Sequence, residues 1–134
     1  MVVETRLERT PDGRQWVVAK RFARPPADAW DRLTDTAAWP EWGLSVAAVD
    51  ADERRVRART TGRVKVCGVG VWVPFEVTSL DWDGERGRWT WRVARLPATG
   101  HAVDPVDGGC RVAFEVPVAA AAYVPVCRRS LARF

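Results

Sequence analysis

Residues 24–42, Arg-Pro-Pro-Ala-Asp-Ala-Trp-Asp-Arg-Leu-Thr-Asp-Thr-Ala-Ala-Trp-Pro-Glu-Trp, constrain the fold of this chain more than any other stretch. Pro25-Pro26 ends a strand and opens a helix, because a first-turn proline forfeits only an N–H that has no partner within the helix. Asp28 suits the positive end of that helix. Ala29, Trp30 and Leu33 recur at helical spacing and form its apolar stripe. Asp35-Thr36 reads as the cap of a second short helix, which Pro40 ends. Beyond Trp42 the chain reads as strands up to one terminal helix. A helical plug set against a curved antiparallel sheet is a way to enclose an apolar interior, so the pattern points to a container.

The remaining elements come from periodicity. Residues 2–9 alternate weakly, and Pro11-Asp12-Gly13 signals a turn. Residues 15–22 form a Trp- and Val-rich strand, and residues 44–50 a short one. Residues 54–61 alternate, with Val56, Ala58 and Thr60 on one face and Arg55, Arg57 and Arg59 on the other. Residues 69–80 make a long strand with Val71, Val73, Phe75 and Val77 on one side; Pro74 there implies an edge or a bulge. Residues 88–95 turn Trp89, Trp91 and Val93 inward. Residues 99–106 and 110–118 form a hairpin through Asp107-Gly108-Gly109, with Val112, Phe114 and Val116 inward on its second arm. The tail, residues 119–134, reads as a helix with the stripe Ala120, Tyr123, Val124, Cys127, Leu131 and Phe134. Pro125 either kinks it or marks a true start near Val124.

A length of 134 residues suits one domain, 1–134, with its own core. Eight tryptophans against four phenylalanines and one tyrosine bring large apolar rings, each with an N–H that needs a partner. The net charge of +4 is too modest to imply nucleic acid. Three cysteines without C-x-x-C spacing and a single histidine imply no metal and no cofactor. Free thiols fit a reducing compartment, and neither a signal peptide nor a membrane span is legible, so the expected location is cytoplasmic.

In element order, and in Pro26-Ala27-Asp28-Ala29-Trp30-Asp31-Arg32-Leu33-Thr34-Asp35 with Trp39-Pro40-Glu41-Trp42, the chain resembles the START-related SRPBCC superfamily of polyketide cyclase/dehydrase-like and lipid-transfer proteins. Gly100-His101 followed by Asp107-Gly108-Gly109-Cys110-Arg111-Val112 resembles its penultimate hairpin. The resemblance covers about residues 15–134. It implies an α+β helix-grip (START-like) fold: a curved antiparallel β-sheet wrapped around a C-terminal α-helix, with two short helices after the first strand and an apolar cavity between. The short last helix with Pro125 departs from the pattern and implies a smaller or more open cavity. Residues 1–14 have no counterpart and would lengthen the first strand. The fold hosts carriers and enzymes alike, so it does not fix the activity.

The expected ligand-binding residues are Trp39, Trp42, Phe75, Trp89, Trp91, His101, Tyr123 and Cys127, around a small hydrophobic molecule that is lipid-like or aromatic. His101 is the one side chain that ordinarily titrates near neutrality, so any acid–base step falls to it first, with Glu115 or Tyr123 as candidate orienters. Arg55, Arg57, Arg59, Arg88 and Arg92 are the candidate basic face; the aromatics lie opposite it, which argues against nucleic acid. Three readings stand: a binding protein, a cyclase, dehydratase or hydrolase using His101 in the same cavity, and an interaction module. A homodimer stays open.

Overall fold

The structure, a computed structural model, describes residues 2–134. Eight strands form one antiparallel sheet: β1 (Glu4–Thr10), β2 (Gly13–Phe22), β3 (Val46–Ala51), β4 (Thr61–Val66), β5 (Trp72–Trp82), β6 (Gly87–Val93), β7 (Leu96–Val106) and β8 (Gly109–Pro117). Their order across the sheet is β1-β2-β8-β7-β6-β5-β4-β3. Helices α1 (Pro26–Thr34) and α2 (Trp39–Trp42) carry the chain from β2 to the far edge strand β3. A 3-10 segment, Val118–Tyr123, leads into the terminal helix α3 (Val124–Arg133). This is the helix-grip arrangement that the element order implied. Register shifts between Val46 and Ala48, Val77 and Ser79, and Thr90 and Arg92 bend the strands concerned and curve the sheet.

The helices cover the face toward which the alternation turned its apolar side chains. Val18, Val77, Trp89, Val103, Val112, Phe114 and Val116 are buried there, with Ala29, Trp30 and Leu33 of α1 and Cys127, Leu131 and Phe134 of the C-terminal end. Trp30 stacks on Trp82 at 4.8 Å. Gly87 lies beneath both rings, where a Cβ would come within 2.6 Å of each, so only glycine fits. Helix α3 rests on β2 and β8 and touches α2. Polar ties hold it: the Leu44 N–H donates to Ser130 Oγ at 3.0 Å, and Arg32 Nε donates to the Phe134 carbonyl at 3.1 Å.

On the opposite face, small residues (Val17, Ala19, Ala113) are buried without any helix above them. Ion pairs flank them, Arg88 with Glu115 at 2.7 Å and Arg111 with Glu8 at 3.2 Å.

Several expectations are corrected. Residues 54–61 are not a strand. Residues 52–60 form a loop in which Arg55 makes one isolated bridge to Asp35 and Arg59 takes a positive φ of 74°. Val56 and Thr60 are buried there while Ala58 is exposed, so the apparent alternation reflects two separate anchors. The true strand, β4, starts at Thr61. Consequently Arg55, Arg57 and Arg59 are not part of a basic sheet face; Arg55 pairs with Asp31 at 2.8 Å and Arg57 with Glu53 at 2.6 Å.

Pro74 is neither on an edge nor at a bulge. Strand β5 lies between β4 and β6, and the Pro74 carbonyl accepts the Ala94 N–H at 2.8 Å. The N–H that Pro74 lacks would face the β6–β7 turn, where the ladder ends. Val71 precedes β5 and is exposed. Pro40 opens α2 rather than ending it, and Asp35 terminates α1 instead of capping α2. Of the two readings of Pro125, the start near Val124 holds: the residue sits in the first turn of α3, and the preceding residues are 3-10.

Candidate functional site

Cross-strand pairing sets a row of rings on the concave face. Trp89 on β6 lies opposite His101 on β7, which lies opposite Phe114 on β8. The imidazole stacks on the Trp89 indole at 3.9 Å. From the helical side, Trp39 stacks on Trp89 at 5.5 Å and 5°, and Trp42 stacks on Phe114 at 5.4 Å. The short helix α2 places both indoles because its four residues span one turn. It is anchored by the indole N–H groups, Trp39 to the Leu33 carbonyl at 2.9 Å and Trp42 to the Arg32 carbonyl at 3.1 Å.

Between these rings and α3 lies a chamber of about 40 Å³. That volume admits a few solvent-sized atoms but no ligand skeleton. Trp39, Trp42, Trp89, Trp91, His101, Tyr123 and Cys127 line it, together with Gly43, Ser45, Val46, Thr99, Phe114 and Ser130. Phe75 is not among the lining residues; its ring packs behind Trp39 and Trp91, 5.6 and 5.5 Å away. The interior expected between sheet and helix is therefore mostly filled by aromatic side chains.

The larger space is an adjoining groove of about 350 Å³ at the end of the sheet, between Val64, Val66, Val93 and Val116 and the 3-10 segment at Ala120. Ser45, Val46, Trp91, Thr99 and Tyr123 line both spaces and so form a shared wall, the neck, between them. Across the neck the Tyr123 and Ser45 hydroxyls are 2.6 Å apart. Among the described residues, the groove lining carries no ionisable side chain except the Tyr123 phenol.

His101 is buried, and desolvation pulls its pKa down to about 3. Its hydrogen bonds define one tautomer. Nδ1 lies 3.4 Å from the Trp89 carbonyl, which only accepts, so Nδ1 carries the proton. Nε2 then accepts from the Thr99 hydroxyl at 3.1 Å, and the Thr99 oxygen accepts the Trp91 indole N–H at 3.2 Å. Neither expected orienter reaches the ring. Glu115 lies on the opposite face with Arg88, and Tyr123 is bonded to Ser45. Burial also pushes the Cys127 thiol up to about 12, which leaves it an inert apolar filler. Among the described residues, no group of three or more His, Cys, Asp or Glu side chains is arranged to hold a metal ion, and no helix is long and apolar enough to cross a membrane.

Thr99, Ser45 and Ser130 were missed as site residues. Thr99 was legible in principle, since it shares strand parity with His101. The two serines were not, because they meet Tyr123 and Leu44 from 78 and 86 positions away.

The family described as "Polyketide cyclase / dehydrase and lipid transport" matches over residues 6–134, further toward the N-terminus than the resemblance reached. A search among curated proteins finds no significant match. Solved structures share the fold. A STAR-related lipid transfer protein from Xanthomonas axonopodis superposes with a TM-score of 0.66 at 14% identity, over 98% of this chain and 89% of that one. A Rhodobacter sphaeroides protein gives 0.65 at 19% identity, over 98% and 94%. Protein CV1439 from Chromobacterium violaceum gives 0.63 at 20%, over 87% and 91%.

Proposed function

Because the chain belongs to the polyketide cyclase/dehydrase and lipid transport family, we propose that it binds a small, uncharged hydrophobic molecule. The body of that molecule lies in the groove, and one end passes the neck toward the chamber. The observation that carries this reading is the groove itself: about 350 Å³, apolar, and sharing the Trp91 and Tyr123 wall with the aromatic chamber. That size suits a small ligand. Flat or aliphatic surfaces both fit a wall of valines and one indole face. Burying about 200 Å² of apolar ligand surface contributes about 5 kcal/mol before association costs, which sets a Kd of about 0.2 mM as the ceiling for purely apolar contact of that area.

The binding reading is favoured over an enzyme working through His101. With a pKa near 3 the imidazole is neutral at physiological pH and a weak base. Both its nitrogens are engaged by the protein, and neither partner, the Thr99 hydroxyl or the Trp89 carbonyl, is an acid or base that could relay a proton. The resulting prediction is that His101 holds the Trp89–Thr99–Trp91 cluster in register rather than moving a proton. An interaction module is disfavoured by the groove, whose apolar lining is concave rather than a flat exposed patch.

Native mass spectrometry of the purified protein, followed by solvent extraction, tests the proposal. A co-purifying neutral organic molecule at near-stoichiometric level supports it. A protein of apo mass that also fails to take up any hydrophobic compound from a chemically varied panel overturns it.

A further inference from the structure

We infer that the chamber recognises a neutral hydrogen-bond acceptor, a carbonyl-type oxygen, at the tip of the ligand, and that the indole N–H of Trp89 is the group that reads it. This inference rests on the binding reading above and adds the polarity of the ligand's inner end.

Trp89 lines the chamber and is almost wholly buried, and its Nε1–H has no acceptor among the described residues. The neighbouring indoles contrast with it: Trp39 and Trp42 donate to helix carbonyls, and Trp91 donates to Thr99. A buried donor left without a partner is costly, and such groups in native proteins call for an explanation.

His101 and Trp39 both stack on the Trp89 ring, and its N–H bond lies in the ring plane. An acceptor must therefore approach in the ring plane. The nearby protein acceptors are already used, since the Thr99 oxygen takes the Trp91 N–H and the His101 Nε2 lone pair takes the Thr99 hydroxyl.

The chemistry of the walls restricts the acceptor further. Among the described residues, no lysine, arginine or carboxylate lines the chamber, so a charged tip would lose its hydration without compensation. A neutral carbonyl oxygen needs only one donor and little of the 40 Å³ available. The Trp89 nitrogen itself is closed to solvent, so seating the oxygen against it requires the lining to shift locally. The skeleton behind it belongs in the groove.

The test compares 9-fluorenone with fluorene, two flat tricyclic probes that differ by one ketone. Affinities are measured by titration calorimetry, and the eight indole N–H signals are followed in ¹H–¹⁵N spectra. The Trp89 signal is assigned by its loss in Trp89→Phe or, if that variant does not fold, in protein carrying benzothienylalanine at position 89, where sulfur replaces the N–H in a ring of the same shape. The expected result is that fluorenone binds about tenfold tighter, the worth of one net hydrogen bond. The Trp89 proton moves downfield with the ketone only, and the preference vanishes with the sulfur ring. Equal affinities with an unmoved Trp89 signal overturn the inference while leaving the binding reading intact. If neither probe nor any other hydrophobic compound binds, the binding reading fails and this inference with it.

Discussion

The hydroxyls of Tyr123 and Ser45 lie 2.6 Å apart, and this bond ties the approach to α3 to the approach to β3 across the neck between groove and chamber. On the proposed binding path, the end of a ligand that reaches the chamber from the groove passes these two side chains. In Tyr123→Phe the tie is lost but the ring remains. Stopped-flow measurements should give several-fold faster association and dissociation of fluorenone with little change in Kd, and stability should fall by about 1 kcal/mol. Unchanged rates would show that ligands do not use the neck.

Trp91 stands in the walls of both spaces, so it should matter to any occupant of either. Trp91→Ala should weaken binding about tenfold or more. Its cavity also costs about 3–5 kcal/mol of stability, and Trp91→Phe, which keeps an aromatic wall, separates loss of contact from loss of fold. Full affinity in a folded Trp91→Ala protein would remove this residue from the wall.

The buried His101 makes stability pH-dependent in a predictable sense. The unfolded chain takes up a proton near the ordinary value of 6.5, whereas the folded protein does so only near 3. Between those values the unfolded state holds more protons, so stability is complete above the window and is lost as pH falls through it. Urea unfolding at a series of pH values should show a loss approaching about 1.4 kcal/mol per pH unit below about 6.5. In His101→Gln that slope should flatten. Asp35, whose carboxyl is held below its usual value mainly by its hydrogen bond to Arg54, loses its contribution only at lower pH, so comparison above about pH 5 isolates the histidine. An equal slope in both proteins would contradict the assignment.

Arg88 reaches Glu115 at 2.7 Å and Asp12 at 3.0 Å, and Glu115 is only 6% exposed. Gly100 makes the space, since a Cβ there would lie 2.5 Å from the carboxylate. Removing the arginine leaves a buried carboxylate unpaired, so Arg88→Ala should cost about 3–5 kcal/mol in chemical denaturation, with most of it regained when Glu115→Gln is added. A cost below about 1 kcal/mol would class the pair with exposed ion pairs.

The contrast between β6–β8 and residues 54–61 explains what could be read from the chain alone. In β6–β8 the inward residues alternate with polar ones across neighbouring strands, and each is buried by the same layer of helices, so a local pattern reports a real face. In residues 54–61 a similar pattern arises from a loop. Val56 is held by its N–H bond to the Thr34 carbonyl, and Thr60 by bonds to Arg57 and Glu53, two unrelated causes at an even spacing. The adjoining strand β4 carries Gly62, required because a Cβ would lie 2.5 Å from the Asp50 carbonyl, and that constraint comes from a partner strand no local window contains. The aromatic walls were legible because tryptophans at alternating positions have few other uses. The filling of the chamber was not, because it depends on Trp39 coming to rest on Trp89 from 50 residues away.

The most direct measurement is the crystal structure of the protein with fluorenone bound. The account predicts the ring system between Val64, Val93, Val116 and Ala120, its oxygen within hydrogen-bonding distance of Trp89 Nε1, and Tyr123 turned away from Ser45. A ligand found only on the outer surface, with the Tyr123–Ser45 bond intact and the groove unoccupied, would contradict it.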